Sequence, residues 1–280
     1  MKKITLLFAA LALVGSAFSQ EALTNKKGQA ILPTEGDCAL GFNALPILNY
    51  MGNALNGTDG TNFVNNGSFF VNSDNMIYAK YMASDNMAYR IRLRVRNNNT
   101  TRKNYVIENG AFSQDTTVED SWNNNDQLIG FSAGFEKRRG SGRIVGVYGV
   151  ELGYSTASTR DKYTYGNAMD DTYNTPLTTT DFNFGSAQFV AARTLDVKWG
   201  RTHNIGLQGF AGVEYFFAPK IALTGEFTWG VSYTTRGDSE VTTELYTTER
   251  TTTKTTTAGL NSLGIDTGNY GGAIGLLSYF

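Results

Sequence analysis

Four arginines alternate with apolar residues in the sequence MAYRIRLRVRN, which spans residues 87–97. Successive side chains of a β-strand point to opposite faces, so this period of two predicts a strand with one cationic face and one apolar face. The planar guanidinium group of arginine binds a carboxylate through two parallel hydrogen bonds. We therefore expect these arginines to form ion pairs with acidic groups of neighbouring strands. The four arginines are Arg90, Arg92, Arg94 and Arg96.

Carboxylates occupy matching positions in other segments of period two. The segments 127–137, 143–155, 204–217 and 220–233 each place one glutamate among small or polar residues, opposite a face of bulkier apolar residues. An unpaired buried charge is unfavourable, and removing one partner of a buried pair commonly costs ~3–5 kcal/mol. We therefore predict a single buried charge network inside the fold. Its predicted members are Lys80, Arg90, Arg92, Arg94, Arg96, Glu136, Glu151, Glu214 and Glu226.

Eight such segments follow one another along the chain, and the connections between them alternate in length. The short ones are 83–86, 138–142 and 218–219, and long stretches rich in Asn, Thr, Asp and Gly lie between. This alternation is typical of a membrane barrel with short periplasmic turns and long extracellular loops. We predict an all-β fold, an antiparallel up-and-down transmembrane β-barrel of eight strands. The eight segments are 37–50, 76–82, 87–97, 127–137, 143–155, 204–217, 220–233 and 269–280.

Two stretches leave alternatives open. Residues 180–199 could form two further strands, either as a hairpin above the membrane or in a ten-stranded barrel. We favour eight strands because ten would move one of the connections to the other side of the membrane. Residues 242–257 are dense in threonine, a strong strand former, and fit either a hairpin above the membrane or a polar loop.

The face assignment follows from the sizes of the side chains. The apolar face is the bulkier one and carries aromatic residues near the segment ends, as the lipid-facing side of a membrane barrel does. The polar, glycine-rich face then points inward, where eight strands leave an interior that side chains just fill. The sequence thus predicts a plugged lumen. The predicted interfacial aromatics are Tyr50, Tyr154, Tyr215, Trp229, Tyr233 and Phe280.

The N-terminus has the pattern of a secretory signal peptide. Two lysines precede the apolar run 4–14, and small residues precede Gln20. The run is shorter than the ~20 residues that span a bilayer. We predict a signal peptide at 1–19, a flexible segment at 20–36 and an outer-membrane barrel domain at 37–280.

The composition narrows the function classes. The 24 basic and 25 acidic residues nearly balance, so nothing predicts binding to nucleic acid. Cys38 is the single cysteine, which excludes a disulfide within the chain, and the sequence has no Cys/His metal pattern. We expect no metal and no cofactor. His203 is the single histidine; a lipid- or peptide-modifying enzyme that uses it as a base is one alternative function.

The signal peptide, the eight-segment meander, the alternating loops and the terminal Phe280 resemble the small outer-membrane barrels of the OmpA/OmpX type from Gram-negative bacteria. The sequence GVEYFFAPKIAL is similar to features of barrels from Bacteroidota. The resemblance implies the cell outer membrane as location, contact with its lipid and lipopolysaccharide, and insertion by the outer-membrane assembly machinery. Because the sequence shows no catalytic constellation, we expect a structural or interaction role in the envelope, with other envelope proteins as partners and no enzymatic activity. A narrow ion channel is the second alternative.

Overall fold

Thirteen strands lie within the residues that the computed structural model describes, namely 23–44, 49–51, 53, 77–183 and 185–280. The predicted signal peptide lies outside them. The strands are β1 (Cys38–Asn43), β2 (Ile77–Ser84), β3 (Met87–Ile107), β4 (Thr117–Arg139), β5 (Ile144–Thr164), β6 (Leu177–Asp181), β7 (Ser186–Phe189), β8 (Ala192–Lys198), β9 (Thr202–Ala218), β10 (Ile221–Arg236), β11 (Ser239–Tyr246), β12 (Arg250–Thr257) and β13 (Leu260–Tyr279).

Eight strands pair in an antiparallel ring in the order β1-β2-β3-β4-β5-β9-β10-β13. The last strand pairs with the first from Ala39 opposite Tyr279 to Asn43 opposite Gly275. Each of the eight predicted segments supplies one ring strand, in chain order. The all-β antiparallel architecture and the up-and-down order are therefore confirmed at the level of a barrel-like ring.

Side chains of the ring alternate between a buried charged face and an exposed apolar face. In β3, Arg90 is 1% exposed and its neighbour Ile91 is 47% exposed. In β10, Glu226 is 4% exposed and Phe227 is 52% exposed. This distribution reverses that of a water-soluble fold, which buries its large apolar side chains. The prediction that the charged face points inward and the apolar face outward is thus confirmed for the ring, and contact of the outer face with lipid stays a prediction.

Glycines on the inner face let neighbouring strands come close. A Cβ atom added to Gly149 would clash with the carbonyl oxygen of Phe135, and one added to Gly134 would clash with that of Val150. Larger residues at these two positions would push the strands apart. The strong glycine content of the inner face is therefore a packing requirement of the ring wall.

Beyond the ring, long strands of the same sheet continue into an extension, here called the upper sheet. It consists of residues 97–107 of β3, 117–126 of β4 and 158–164 of β5, followed by β8, β11 and β12. The stretch 98–126, expected as a loop, is thus largely a hairpin. Strand β8 pairs with β11 and with the far end of β5, and β6 pairs with β7 in a separate two-stranded sheet. The stretch 180–199 therefore adds no strand to the ring.

The threonine-dense stretch 242–257 forms the hairpin of β11 and β12, one of the two alternatives drawn from the sequence. The first predicted segment is only partly correct. Strand β1 ends at Asn43, and Tyr50 lies in the helical residues 49–51 instead of at the end of a strand. Among the described residues no helix has the length and apolarity needed to cross a membrane.

The end of the ring that carries the short turns has an apolar floor. Ile31 of the N-terminal segment is 1% exposed there, its carbonyl accepts a hydrogen bond from the Lys220 amide at 2.9 Å, and the Gly36 amide donates to the Met82 carbonyl at 2.8 Å. Residues 23–36 of the segment predicted to be flexible therefore make defined contacts. Ile31 packs in a cluster with Met82, Ala88, Val145, Val147, Phe216, Ala222, Leu277 and Tyr279.

We predict that Ile31→Ala lowers the free energy of unfolding by about 2–5 kcal/mol, because it removes buried methyl groups and leaves a cavity in the floor. Urea titration of the full chain folded in phospholipid vesicles measures this change. Lys27→Ala, in the same segment but exposed, is the control and should leave the titration unchanged. Equal stability of both variants would mean that the segment does not hold the floor.

Candidate functional site

A cluster of ionised side chains fills the ring above the apolar floor. Six of the eight ring strands contribute, because β2, β3, β4, β5, β9 and β10 each present charged residues on the inner face. Four cations face four carboxylates, so the cluster is neutral as a whole. Its members are Lys80, Arg90, Arg92, Arg138, Glu136, Glu151, Glu214 and Glu226.

The part nearest the floor joins opposite walls of the ring. The ammonium group of Lys80 lies 2.6 Å from Glu136 Oε2 and 2.6 Å from Glu214 Oε1. Arg138 bridges the same two acids from below, with Nη1 3.0 Å from Glu136 Oε1 and Nη2 2.7 Å from Glu214 Oε2. The Tyr279 hydroxyl donates to Glu214 Oε2 at 3.0 Å. Every oxygen of the two carboxylates is therefore engaged.

The next layer is centred on Arg90. Its guanidinium group contacts three acids, at 3.2 Å from Glu136, 3.1 Å from Glu151 and 2.7 Å from Glu226. Arg92 reaches the same Glu226 oxygen at 2.7 Å. The guanidinium carbon of Arg90 lies 3.9 Å from the centre of the Phe210 ring, a cation–π contact that covers its remaining face. Arg90 thus joins β3 to the walls formed by β4, β5 and β10.

The structure thus brings together seven of the nine residues predicted for the network. Arg94 is buried on the same inner face at 6% exposure, one step above Arg92. The prediction for Arg96 is wrong: its side chain is 36% exposed and pairs with Asp126 at 2.9 Å, outside the network. Arg96 lies close to the point where β3 extends beyond the ring, so solvent reaches its side chain.

Arg138 is the member that the sequence analysis missed, because residues 138–142 were assigned to a turn. The signal was present in the alternation itself: Arg138 stands two residues after Glu136 and so falls on the same face of β4, which runs to Arg139. Ser132, which hydrogen-bonds Glu151, follows the same rule. Extending the predicted strand 127–137 by two residues would have placed Arg138 on the inner face.

Five of the six predicted interfacial aromatics are side chains at the outside of the ring. Tyr154 and Tyr233 are each 44% exposed, and Phe280 is 65% exposed. The sixth, Tyr50, is exposed on the helical residues and belongs to no strand. Their placement at a membrane surface stays a prediction. The five are Tyr154, Tyr215, Trp229, Tyr233 and Phe280.

His203 lies on the outer face, away from the charge network. Its Nδ1 atom is 2.7 Å from the Tyr154 hydroxyl, and the two rings stack with centroids 6.1 Å apart. Cross-strand pairing sets it opposite Thr156 and Thr235. No acid orients the imidazole in the described contacts, and within the described residues no group of three metal-binding side chains forms. The enzyme alternative thus gains no support from geometry.

A second set of buried polar residues holds the upper sheet together. Asp120 is fully buried and accepts hydrogen bonds from the amides of Gly166 and Thr179, both at 2.8 Å. Glu244 is also buried and accepts from Arg193 at 2.5 Å. These contacts fix β6 and the chain before it against the upper sheet. Sequence reasoning missed them because the residues lie in stretches that had been assigned to loops.

No protein-family model matches this sequence, and no curated protein matches it. Function is therefore argued from geometry. Each of the four carboxylates lies within salt-bridge distance of at least one cation, which suits the network to bracing the ring wall. The network presents no free nucleophile paired with a base.

We predict that Glu214→Gln destabilises the folded chain by about 3–5 kcal/mol, because it leaves Lys80 and Arg138 short of a buried carboxylate. Urea titration in phospholipid vesicles measures the effect. Glu240→Gln is the matched control, since Glu240 pairs with Lys254 on the exposed surface. It should leave the midpoint unchanged. A Glu214→Gln protein as stable as this control would rule out a bracing role.

Proposed function

We propose that this chain is an integral outer-membrane β-barrel protein, similar to the OmpA/OmpX type, whose ring spans the bilayer. Its proposed role is structural or interactive in the cell envelope, without enzymatic activity. The observation that carries the proposal is the reversed polarity of the ring: charges are buried inside, and large apolar side chains are exposed outside. Such a surface is stable in contact with hydrocarbon and not with water.

The height of the apolar surface supports the proposal. In β5, outward apolar residues run from Ile144 to Tyr154, ten residues apart. At ~3.3 Å per residue this is ~33 Å along the strand, which a tilt of ~40° reduces to ~25 Å. The apolar band of outer-membrane barrels is ~25 Å tall. With this tilt, the apolar height of the ring agrees with that of a bilayer core, which supports the proposal.

The proposed arrangement assigns the short turns and the floor with Ile31 to the periplasmic side, and the upper sheet to the cell exterior. Outer-membrane lipid and lipopolysaccharide surround the ring, and the assembly machinery inserts it. The upper sheet is large and polar on its exposed side, which fits contact with other envelope proteins. The plugged lumen favours this role over a channel, and His203 without an orienting acid favours it over an enzyme.

We predict that acyl-chain-brominated phospholipid quenches the fluorescence of Trp229 and not that of Trp122 or Trp199. The chain has three tryptophans; Trp229 lies on the outer face of the ring and the other two lie in or beside the upper sheet. Three single-tryptophan proteins, made by pairwise replacement with Phe, report each position separately. Absence of quenching at Trp229 in folded protein would rule out the membrane proposal.

We predict that the purified chain shows no single-channel conductance in planar bilayers. Tightly paired charges and the apolar floor close the lumen at two heights. Discrete current steps that scale with protein concentration would contradict a plugged lumen and favour the channel alternative. A bacterial porin recorded in the same bilayers shows that the assay detects open barrels.

A further inference from the structure

A shallow pocket lies on the outer face of the upper sheet, at the junction of β4 and β5. Its volume is about 290 Å³. Cross-strand pairing sets Asn125 opposite Arg160 and Asn123 opposite Lys162, so short amides of one strand face long cations of the next. The pocket is lined by Asn123, Asn125, Gln127, Arg160 and Lys162.

The side chains that line the pocket differ in how many hydrogen bonds and ion pairs they make within the protein. Arg160 makes two hydrogen bonds to Asp196, at 2.9 and 2.7 Å, which fixes its side chain. The pKa of Asp196 is lowered by this hydrogen bonding, so the pair is ionised at neutral pH. Asn123 donates to Asn99 at 2.6 Å and to Thr101 at 2.9 Å. The amide groups of Asn125 and Gln127 make no hydrogen bond to the described residues. Lys162 stands opposite Asp196 on β8 and its charge helps to lower the pKa of that carboxyl, but its ammonium group makes no hydrogen bond to the described residues.

This set of groups has the chemistry of a site for an acidic sugar. Asn and Gln side chains each offer a donor and an acceptor, which matches the hydroxyl groups of a saccharide. Lys162 and Arg160 lie two residues apart on β5, ~6.6 Å along the strand. Because Arg160 is paired with Asp196, the cation that the pocket offers to a phosphate or carboxylate group is Lys162. No aromatic or aliphatic side chain lines the pocket, whereas protein partners usually bind through such anchors.

The position of the pocket identifies the source of the sugar. Gln127 is the next outward-facing residue beyond the apolar residue Ile129 on β4, toward the upper sheet, and its pairing partner Ser158 lies beyond Tyr154 on β5. Asn125 is four residues from Ile129, ~13 Å along the strand and ~10 Å in height for a tilted strand. That height is the headgroup region, which begins where the hydrocarbon core ends.

We propose that the pocket binds the phosphorylated sugar headgroup of an outer-leaflet glycolipid, with Lys162 on the phosphate and the amides of Asn125 and Gln127 on the hydroxyls. This proposal rests on the proposed membrane location of the ring. Binding here ties a lipid that surrounds the ring to the upper sheet. It gives the extended part of β4 and β5 a function beyond holding the fold.

The test titrates the full chain in detergent micelles with deacylated lipopolysaccharide, a soluble phosphorylated oligosaccharide, by calorimetry. We expect binding that weakens about tenfold in Lys162→Gln, because one charge-assisted hydrogen bond is lost. Lys254→Gln is the matched control: Lys254 is an exposed lysine of the same sheet, outside the pocket, and its replacement should change nothing. The unchanged protein should bind the dephosphorylated saccharide about as weakly as the Lys162→Gln variant binds the phosphorylated one.

A second arm tests the lipid source by measuring how much intact lipopolysaccharide stays with each protein through detergent extraction. Lys162→Gln should retain less than the control. Equal affinities of the two variants, no saccharide binding, or equal binding of poly-glutamate would each overturn the proposal. Saccharide binding without retention of the intact lipid would overturn its lipid source. Since the titration needs no bilayer, its failure leaves the quenching of Trp229 as a separate test of membrane location.

Discussion

The fold depends on neutralising charges that the inner face of the ring buries. Burial of a single charge in a low-dielectric interior is prohibitive, and a pair is tolerated only when its hydrogen bonds are satisfied. Here the carboxylates of Glu136 and Glu214 share Lys80 and Arg138, which stand on strands far apart in the sequence. The network forms completely only when its six contributing strands are in place, so it couples the far walls of the ring to one another.

The same network fixes register. A slip of one residue in β3 would turn Arg90 and Arg92 to the outside and bring Ile91 inward, because the side-chain period is two. Hydrophobic contacts alone would specify register weakly on the outer face, where one aliphatic side chain resembles the next. Charged partners distinguish the correct pairing from its neighbours. The inner charges therefore supply specificity, and the outer apolar face supplies the favourable environment.

The sequence predicts the strands in which apolar and polar residues alternate with period two. It does not predict the parts of the structure that lack this alternation. Alternation was enough to find the ring strands, their order and seven members of the network. It missed Arg138 because a run of charge and glycine looked like a turn, and it overextended β1 to Tyr50. Most strands of the upper sheet were not predicted from the sequence. Its strands are polar on both faces, so no apolar stripe distinguishes them from loops.

The upper sheet buries some apolar side chains, such as Val106 at 3% exposure, and buried polar groups add specific contacts. Asp161 accepts hydrogen bonds from Trp122, Trp199 and Asn124, at 3.0, 2.9 and 2.7 Å, and so ties β4 to the connection that enters β9. Each such contact is specific for its partners, whereas hydrophobic packing tolerates rearrangement. A sheet held this way can keep the exposed amides and cations of its outer face at fixed spacing. That rigidity is what a pocket needs to recognise a sugar, because groups fixed in advance lose little conformational entropy on binding.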